Sequence, residues 1–309
     1  ADLAALPLGG LLPARLARGL VLRHGQRRGA ELVHAHFGYA LPYARILQRR
    51  AGVPVVVSLH GHDATAWPAA APWAYAPSPD LVSAVVVPSR WLAVRAVELG
   101  FAPDRIRVIP AGVDTAFFTP SPVPDAPVVA FVGRLVDKKG VATLMAAWPL
   151  VRAQVPDAVL RVLGDGPLAP LVGGEGVERV LPDAGRRHEQ VRELLRAATV
   201  VASPSQTAAD GDAESLLLVN LEAQASGRAV VTTDHGGIPE FVAANASALL
   251  VPERDPVALA AALVRVLTDR SLATRLGSGG PQVAVEFDAA AMAARVDDLY
   301  DEVVERRSS

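Results

Sequence analysis

The chain has 309 residues, 51% of them hydrophobic, and its 30 basic and 32 acidic side chains leave a formal net charge of −2. This composition is typical of a soluble globular protein that is long enough for two domains. The near-neutral charge disfavours a nucleic-acid partner, and no apolar run approaches the roughly 20 residues of a membrane-spanning helix. Because the chain has no cysteine, disulfides, thiolate metal sites and cysteine nucleophiles are excluded. The same absence suits a reducing compartment, and we expect a cytoplasmic protein.

Short β-branched runs alternate with alanine-rich helical stretches along the chain, which is the pattern of parallel sheets joined by crossover helices. Strands are predicted in the first part at residues 31–35, 53–59, 81–87 and 106–109. Strands are predicted in the second part at residues 128–132, 160–163, 200–202, 229–233 and 248–251. Most of these are continuous apolar runs, as expected of strands covered on both faces. The last segment, 289–307, has apolar residues at helical spacing and predicts an amphipathic helix.

A proline-rich segment separates the two sets of strands. Residues 119–127 hold four prolines, which prevent both a helix and a central strand. We therefore predict a first domain over 1–120 and a second over 121–285. Near the start of the chain, the basic stretch from Arg15 to Arg28 is interpreted as a solvated helix face, with contact to anionic lipid headgroups as the alternative.

Lysine is almost absent from the chain. Of the 30 basic residues 28 are arginines, and the two lysines are the adjacent Lys138 and Lys139. The strand predicted at 128–132 leads into Gly133, and the following loop also carries Arg134. Ligands bind beyond the carboxyl ends of strands in open parallel sheets, so two fixed cations in this loop suit a diphosphate. A functional role for one of the lysines is favoured over a solvated surface charge.

A second glycine-rich turn follows the strand predicted at 160–163. Gly164-Asp-Gly166, together with Ala169, matches the dinucleotide fingerprint Gly-x-Gly-x-x-Gly/Ala, which would suggest NAD. The match is weak, because the strand is not the first of its half and Pro167 lies within the turn. A structural turn that approaches some ligand with its backbone is the favoured interpretation.

Two glutamates eight residues apart, Glu214 and Glu222, flank an apolar run that predicts a buried helix. On a helix they would lie about 12 Å apart on similar faces, where they could contact two parts of one long ligand. A helix start near Ser215 and Leu216 would offer free N–H groups to a phosphate. A glycosidase pair needs carboxyl groups about 5 to 9.5 Å apart, so hydrolysis by these two is disfavoured. The upstream Asp210-Gly-Asp212 is interpreted as a turn, with a divalent metal site as the alternative.

Histidines follow two neighbouring strands of the first part. His34 and His36 end one predicted strand, and His60 and His62 follow the next. Four histidines could form a zinc site, but polar side chains lining a cleft explain the pattern without a tetrahedral geometry. We favour His60 as a residue that faces the cleft between the domains and meets the reacting centre. A structural hydrogen bond at a strand end is the alternative.

Together, these motifs resemble the retaining GT-B glycosyltransferases of family four, especially those of colanic acid and other exopolysaccharide or natural-product pathways. The motifs are His34-Ala-His-Phe-Gly38, His60-Gly-His-Asp63, Pro110-Ala-Gly-Val-Asp114, Val132-Gly-Arg-Leu-Val-Asp-Lys-Lys-Gly140, Gly164-Asp-Gly-Pro167, the pair Glu214 and Glu222, and Gly236-Gly-Ile-Pro-Glu240. The resemblance implies two Rossmann-like α/β domains facing across a cleft, with the helix in 286–309 packing back on the first domain. Only 33 residues precede His34, so the first domain is expected to be short for the family.

The resemblance also implies roles for individual residues. Arg134 and Lys139 would clamp the donor diphosphate beside Gly133, and Glu222 would hold the ribose. Glu214 would contact sugar hydroxyls, the backbone N–H groups of 215–217 would approach the distal phosphate, and His60 would lie beside the transferred sugar. The expected catalytic residues are His60, Arg134, Lys139 and Glu214. The expected donor-binding residues are Gly133, Arg134, Lys139, Glu214, Ser215, Leu216, Leu217 and Glu222.

The implied reaction moves a sugar from a nucleotide-diphosphate sugar to a hydroxyl acceptor such as a glycan, a lipid-linked sugar or a natural product. No metal and no further cofactor are expected, and peripheral contact with the inner membrane face is an option. One departure from the family is Ser215-Leu-Leu217, where relatives often carry glycines. The alternatives are a non-catalytic partner that binds a nucleotide sugar, a sugar-nucleotide 2-epimerase that isomerises donor without acceptor and, with least support, an NAD enzyme.

Overall fold

A computed structural model describes residues 29–70, 75 and 82–308 of the chain. In these residues all strand pairs within the two sheets are parallel. The first sheet contains β1 Val33–His36, β2 Val55–Ser58, β3 Ala84–Val87 and β4 Ile106–Val108, in that order. The basic stretch Arg15 to Arg28 lies outside the described residues.

The second sheet has six strands in the order β10-β9-β8-β5-β6-β7. Its strands are β5 Val128–Val132, β6 Val159–Leu163, β7 Val177–Val180, β8 Val200–Ser203, β9 Ala229–Thr233 and β10 Ala248–Val251. This is the doubly wound order, and it reverses between the paired strands β5 and β8. Ligands of such sheets bind at the carboxyl ends of the two strands where the order reverses, so the loops after β5 and β8 define the expected site.

Nine α-helices connect and cover the sheets in the described part of the chain. They are α1 Leu41–Ala51, α2 Ala66–Ala70, α3 Arg90–Glu98, α4 Val141–Gln154, α5 Arg187–Ala197, α6 Leu218–Ala225, α7 Pro256–Thr268, α8 Arg270–Val285 and α9 Ala289–Ser308. Within the described ranges, no helix combines the length and the apolar character that crossing a bilayer requires.

The alternation of side chains along β2 explains how the first sheet is covered. Val55 and Val57 point to one face and pack in a core with residues of α1 and α3, whereas Val56 points to the other face. There it packs with Leu299 and Val303 of α9. Helix α9 therefore covers the first sheet, although it follows the second sheet along the chain. The boundaries 1–120 and 121–285 stay predictions.

The parallel α/β class is confirmed. The continuous apolar runs in the sequence correspond to strands that are buried on both faces of the sheets. The predicted bounds of β5, β9 and β10 coincide with the observed ones. Strand β7 was missed, since Val177-Glu-Arg-Val180 is a short edge strand that is mostly exposed and carries two charges.

Gly140 joins the loop after β5 to the loop after β8. Its φ of 67° lies in the left-handed region, and a Cβ at this position would lie 1.8 Å from the Pro204 carbonyl oxygen. Gly140 also precedes the first residue of α4. A side chain here would therefore force apart the two loops that frame the expected site.

We expect Gly140→Ala to lower the free energy of unfolding by about 2 kcal/mol or more, because backbone strain and a collision with a backbone atom add together. Gly173→Ala is the matched control, since a Cβ at Gly173 meets no atom within 4 Å. Urea denaturation followed by circular dichroism measures both variants. Equal losses of stability in the two variants would contradict the proposed role of Gly140.

Candidate functional site

The two lysines lie at the point where the strand order of the second sheet reverses, in a single helical turn spanning Asp137–Lys139. The Nζ atom of Lys139 lies 2.8 Å from Oε1 of Glu214. The Nζ atom of Lys138 lies 3.0 Å from Oδ2 of Asp212 and 3.6 Å from Oε1 of Glu214. The loop after β5 and the loop after β8 are thus joined by a cluster of two cations and two carboxylates.

This cluster is withdrawn from solvent. Glu214 and Lys138 are 7% and 8% exposed, so their charges interact through a medium of lower polarity than water. Burial lowers the pKa of the Lys139 ammonium, and the Glu214 carboxylate opposes this shift. Truncating one member would leave a buried charge without its partner, which is costly. The cluster therefore fixes the position of Glu214 relative to both lysines.

Arg134 differs from the lysines because its side chain is exposed. Within the described ranges, no carboxylate lies at ion-pair distance from its guanidinium. Its loop is nevertheless held in place, since the Leu135 N–H donates to the Asp165 carbonyl at 2.8 Å. Gly164 permits this approach, because a Cβ there would lie 2.1 Å from the Gly133 carbonyl oxygen. The Gly164-Asp-Gly166 turn thus supports the loop that carries the exposed Arg134.

Glu214 does not lie on a helix, so the predicted helix start near Ser215 and Leu216 is wrong. Helix α6 begins at Leu218, and Glu214, Ser215, Leu216 and Leu217 precede it in an extended loop. Tertiary contacts explain the difference, since the Glu214 carbonyl accepts a hydrogen bond from the Gly237 N–H at 3.1 Å. Leu218, which was predicted to be buried, is 40% exposed.

The extended loop leaves a set of backbone donors free. No described group accepts a hydrogen bond from the N–H of Ser215, Leu216 or Leu217. The chain is held here by its other atoms: the Ser215 Oγ lies 2.7 Å from the Ser89 Oγ, and the Glu214 N–H donates to His235. These three N–H groups, which have no acceptor among the described residues, are donors that can attract anionic oxygen atoms.

Glu222 lies one helical turn into α6. Burial raises the pKa of its carboxyl to about 7, against a smaller opposing effect of Arg187. No described group donates a hydrogen bond to this carboxylate. A partly buried acid to which no described group donates a hydrogen bond is costly to the fold, and such groups are common where a ligand supplies the donor.

His235 and Glu253 form a supporting pair that sequence reasoning missed. The Glu214 N–H donates to Nε2 of His235 at 3.1 Å, so this nitrogen carries no proton. The proton is therefore on Nδ1, which lies 2.7 Å from Oε1 of Glu253. Burial acts to raise the pKa of Glu253, but hydrogen bonds from Thr207 and His235 outweigh it and lower the pKa. The position of His235 directly after β9 was the available signal in the sequence.

On the first sheet, Asp63 organises the loop that carries His60. Its buried carboxylate accepts hydrogen bonds from the N–H groups of Gly38, His60 and Gly61, at 2.8, 2.8 and 3.0 Å. Gly61 faces the second domain, since a Cβ there would lie 3.2 Å from the Ala213 carbonyl oxygen. The His60 loop and the Glu214 loop therefore meet across the cleft.

The histidines have different surroundings. His34 is held at both nitrogens, with Nδ1 2.6 Å from the Tyr300 hydroxyl and Nε2 2.8 Å from the Ser58 hydroxyl. Burial and the neighbouring His36 and His60 lower the pKa of His34 to about 4, so it is neutral. Nδ1 of His36 lies 3.4 Å from Nε2 of His60. His60 is exposed as a residue, but its ring lies against those of Phe37 and His36. Burial and His36 lower the pKa of His60, while Asp63 raises it.

Neither suggested metal site is assembled in the described residues. His62 is exposed and has no ring contact with the other three histidines. The Asp212 carboxylate is engaged by Lys138, and Asp210 accepts a hydrogen bond from the Asp212 N–H at 3.0 Å. No cluster of three or more metal-binding side chains occurs in residues 29–70, 75 and 82–308. The Asp210-Gly-Asp212 segment is a turn.

A carboxylate crosses between the two domains. Both oxygens of Glu240 accept hydrogen bonds from the first backbone N–H groups of α3, those of Arg90 and Trp91, each at 2.8 Å. The negative charge also favours this position, because the amino end of a helix is positive. The first and second domains are thus connected at the base of the cleft.

Comparison with known families matches two models to the chain. The model described as "Glycosyl transferases group 1" matches residues 126–269, and the model "Glycosyltransferase Family 4" matches residues 4–117. The first match contains the lysine–carboxylate cluster, and the second contains the His60 loop.

Curated relatives extend this similarity. The chain is 33% identical to the "GDP-mannose-dependent alpha-(1-6)-phosphatidylinositol monomannoside mannosyltransferase" of Mycolicibacterium smegmatis, over 81% of this chain and 71% of the relative. It is 38% identical to the "Putative colanic acid biosynthesis glycosyltransferase WcaL" of Escherichia coli, over 54% of this chain and 43% of the relative. A further relative is covered over 51% of its length. The chain thus spans about half the length of several relatives that it matches.

The fold also matches solved structures. HepE of Anabaena, solved in complex with UDP-glucose, aligns with a TM-score of 0.80 at 21% identity, covering 96% of this chain and 84% of that one. At this identity the match bears on the fold alone, and it confirms the predicted pair of Rossmann-like domains.

We expect Glu222→Gln to raise the free energy of unfolding by about 2 kcal/mol at about pH 8. Below about pH 4.5 the substitution should have little effect, because there the glutamate is neutral in both the folded and the unfolded chain. The raised pKa means that the wild type loses stability as the pH rises from 4.5 through about 7. Glu286→Gln, at an exposed position, is the control. Urea titrations across this pH range measure the difference, and parallel pH profiles for wild type and Glu222→Gln would contradict it.

Proposed function

Because this chain belongs to the group 1 glycosyltransferases of family four, we propose that it transfers a sugar from a nucleoside diphosphate sugar to a hydroxyl acceptor, with retention of configuration. The observation that carries the proposal is the convergence of Arg134, Lys139 and Glu214 where the strand order of the second sheet reverses. The relatives' names describe transferases, which favours this reaction over an epimerase or a non-catalytic partner.

The donor diphosphate would lie between Arg134 and Lys139, beside Gly133. Arg134 is exposed and without a described carboxylate partner, so its planar guanidinium can bind two phosphate oxygens. Lys139 would turn part of its ammonium from Glu214 toward the same phosphate, and the free N–H groups of residues 215–217 would bind the distal one. These fixed donors stabilise charge that develops on the leaving group, which is why we propose a reaction without a metal or further cofactor.

The nucleoside and the sugar would be held by the two glutamates. With a pKa of about 7, Glu222 is present both as an acid and as a carboxylate near neutral pH, and it would hydrogen-bond the ribose hydroxyls. Glu214 lies beside the lysines and would bind hydroxyls of the transferred sugar. Its backbone is supported by His235, so its carboxylate has little freedom to move.

The chemical step would be a front-face displacement. The bond between the anomeric carbon and the phosphate oxygen breaks as a bond from the acceptor oxygen to the same carbon forms on the same face. The acceptor's proton passes to the departing phosphate oxygen, and the products are a glycoside and a nucleoside diphosphate. Charge on that diphosphate is greatest in the transition state, where the cations contribute most. His60, whose ring lies against that of Phe37, would hydrogen-bond the transferred sugar.

Calorimetry with UDP-, GDP- and ADP-sugars, followed by product analysis with and without acceptor, tests the reaction. We expect binding of at least one donor, a glycoside whose anomeric configuration by NMR equals that of the donor, and an unchanged rate in the presence of EDTA. Isomerised donor without acceptor would indicate an epimerase. Donor binding without turnover with any of the acceptors would indicate a binding partner, and loss of rate with EDTA would contradict metal independence.

Removing either proposed clamp cation should lower turnover by about 100-fold or more, which is the scale for losing one preorganised donor to a developing charge. The variants are Arg134→Ala and Lys139→Met, the latter preserving much of the apolar stem against Gly133. Arg186→Ala removes an arginine of a surface ion pair in the second domain and is the control. Turnover within twofold of wild type for both clamp variants would reject the assignment of the clamp.

A cytoplasmic location belongs to the same proposal, because a chain without cysteine suits a reducing compartment. For the basic stretch before β1, a solvated helix face is favoured and contact with anionic lipid headgroups is the alternative.

A further inference from the structure

Aromatic side chains are unevenly distributed between the two domains. They make up 5% of the chain, and all four tyrosines fall outside residues 121–285: Tyr39, Tyr43 and Tyr75 precede the second sheet, and Tyr300 lies on the helix that covers the first. Tyrosine offers a flat apolar face together with a hydroxyl, and Tyr39 and Tyr43 are exposed in the first domain whereas Tyr75 is buried.

Two of these rings form an exposed surface beside His60. The rings of Phe37 and Tyr39 are stacked, with centroids 5.0 Å apart and planes inclined by 8°. Phe37 is 37% exposed and Tyr39 is 46% exposed, which is unusual for adjacent large rings. Trp67 supports Tyr39 from the protein side in an edge-on contact at 6.0 Å. We call Phe37 and Tyr39 the aromatic ledge.

The backbone of Phe37 is held in an uncommon conformation that turns its ring outward. Its φ is 68°, in the left-handed region that a bulky residue rarely adopts. The Phe37 N–H donates to the Ser58 carbonyl, and the next N–H, that of Gly38, donates to the buried Asp63 carboxylate. These bonds fix the conformation from both sides. Strained residues held in this way cluster at functional sites.

The aromatic ledge is continuous with the proposed reacting centre. The Phe37 ring lies 4.4 Å from the ring of His60, centroid to centroid, and His60 is stacked with His36 at 5.6 Å. A molecule that rests on the ledge therefore extends toward the residue that we place beside the transferred sugar. The order of groups along this surface is two imidazoles, a phenyl ring and a phenol.

The chemistry of the ledge selects among acceptors. Its two rings are uncharged, so it offers no cation to bind the charge of a phosphate or a carboxylate. A sugar ring has an apolar face of C–H groups and a rim of hydroxyls, and it matches the exposed parts of two aromatic rings that lie beside a phenol hydroxyl and imidazoles. An aromatic aglycone would match the exposed aromatic surface but would leave these polar groups unused.

We propose that the aromatic ledge binds a neutral sugar ring of the acceptor and presents its hydroxyl at His60. This inference rests on the proposed transferase function, and it adds the class of acceptor and the residues that recognise it. Phe37 and Tyr39 would determine acceptor affinity, and they would have no part in donor binding.

Saturation-transfer NMR on the full chain with bound UDP tests this contact without requiring turnover. The probes are methyl mannoside and maltose as neutral sugars, inositol phosphate as a charged acceptor, and phenol as an aromatic one. We expect saturation of the protein's aromatic protons to reach the ring protons of at least one neutral sugar. Binding of only inositol phosphate or only phenol would overturn the proposal.

Variants then assign the contact to the ledge. Phe37→Leu and Tyr39→Leu remove a ring but keep an apolar side chain, and each should weaken neutral-sugar binding about five- to tenfold. Phe37→Tyr keeps the ring and should retain binding within about twofold. Tyr39→Phe keeps the ring but removes the hydroxyl, and it should weaken binding less than Tyr39→Leu does. Leu181→Ala, at a residue 63% exposed in the second domain, is the control. Circular dichroism checks that each variant is folded.

The same variants separate the two proposals. If donor affinity by calorimetry is unchanged while acceptor affinity falls in the leucine variants, both proposals stand. If no nucleotide sugar binds but neutral sugars still contact the ledge, the transferase function fails and the ledge remains. If neutral-sugar affinity is the same in wild type and both leucine variants, the ledge proposal is rejected whatever the donor result.

Discussion

The contact between Glu214 and the two lysines is the interaction on which the site depends. It joins the loop after β5 to the loop after β8, and these are the loops that the doubly wound strand order brings together. Because the cluster is buried, its charges are strongly coupled, and neither loop can move far without separating them. The exposed Arg134, the free N–H groups after Glu214 and the acid of Glu222 are all positioned relative to this cluster.

Much of the architecture could be predicted from the sequence because burial on both faces makes strands such as Val128–Val132 continuous apolar runs. The proline-rich segment 119–127 likewise separates the two sheets by a physical constraint on the backbone. Strand β7 could not be found in this way, since an edge strand with an exposed Glu-Arg centre has no apolar pattern to detect.

The site was predictable at the level of loops and less so at the level of single residues. The scarcity of lysine singled out both Lys138 and Lys139, but it could not indicate that Lys138 forms a buried ion pair with Asp212. The conformation of Glu214 could not be predicted either, because its carbonyl accepts a hydrogen bond from the N–H of Gly237, which is distant along the chain. His235 was missed because a histidine that accepts from a backbone N–H has no local motif. The family resemblance was confirmed, whereas the roles that it implied for individual residues stay predictions.

Glu240 gives the relation between the two domains a further property. Its carboxylate is the acceptor for the first two N–H groups of α3, so the amino end of a helix in one domain is completed by a side chain of the other. Separating the domains would expose two backbone N–H groups and a carboxylate, and water would have to form the hydrogen bonds that they lose. The stability of α3 and the width of the cleft are therefore coupled. A ligand that draws the domains together also favours the hydrogen bonds at the amino end of α3. A change that unwinds this end of the helix weakens the contact between the domains.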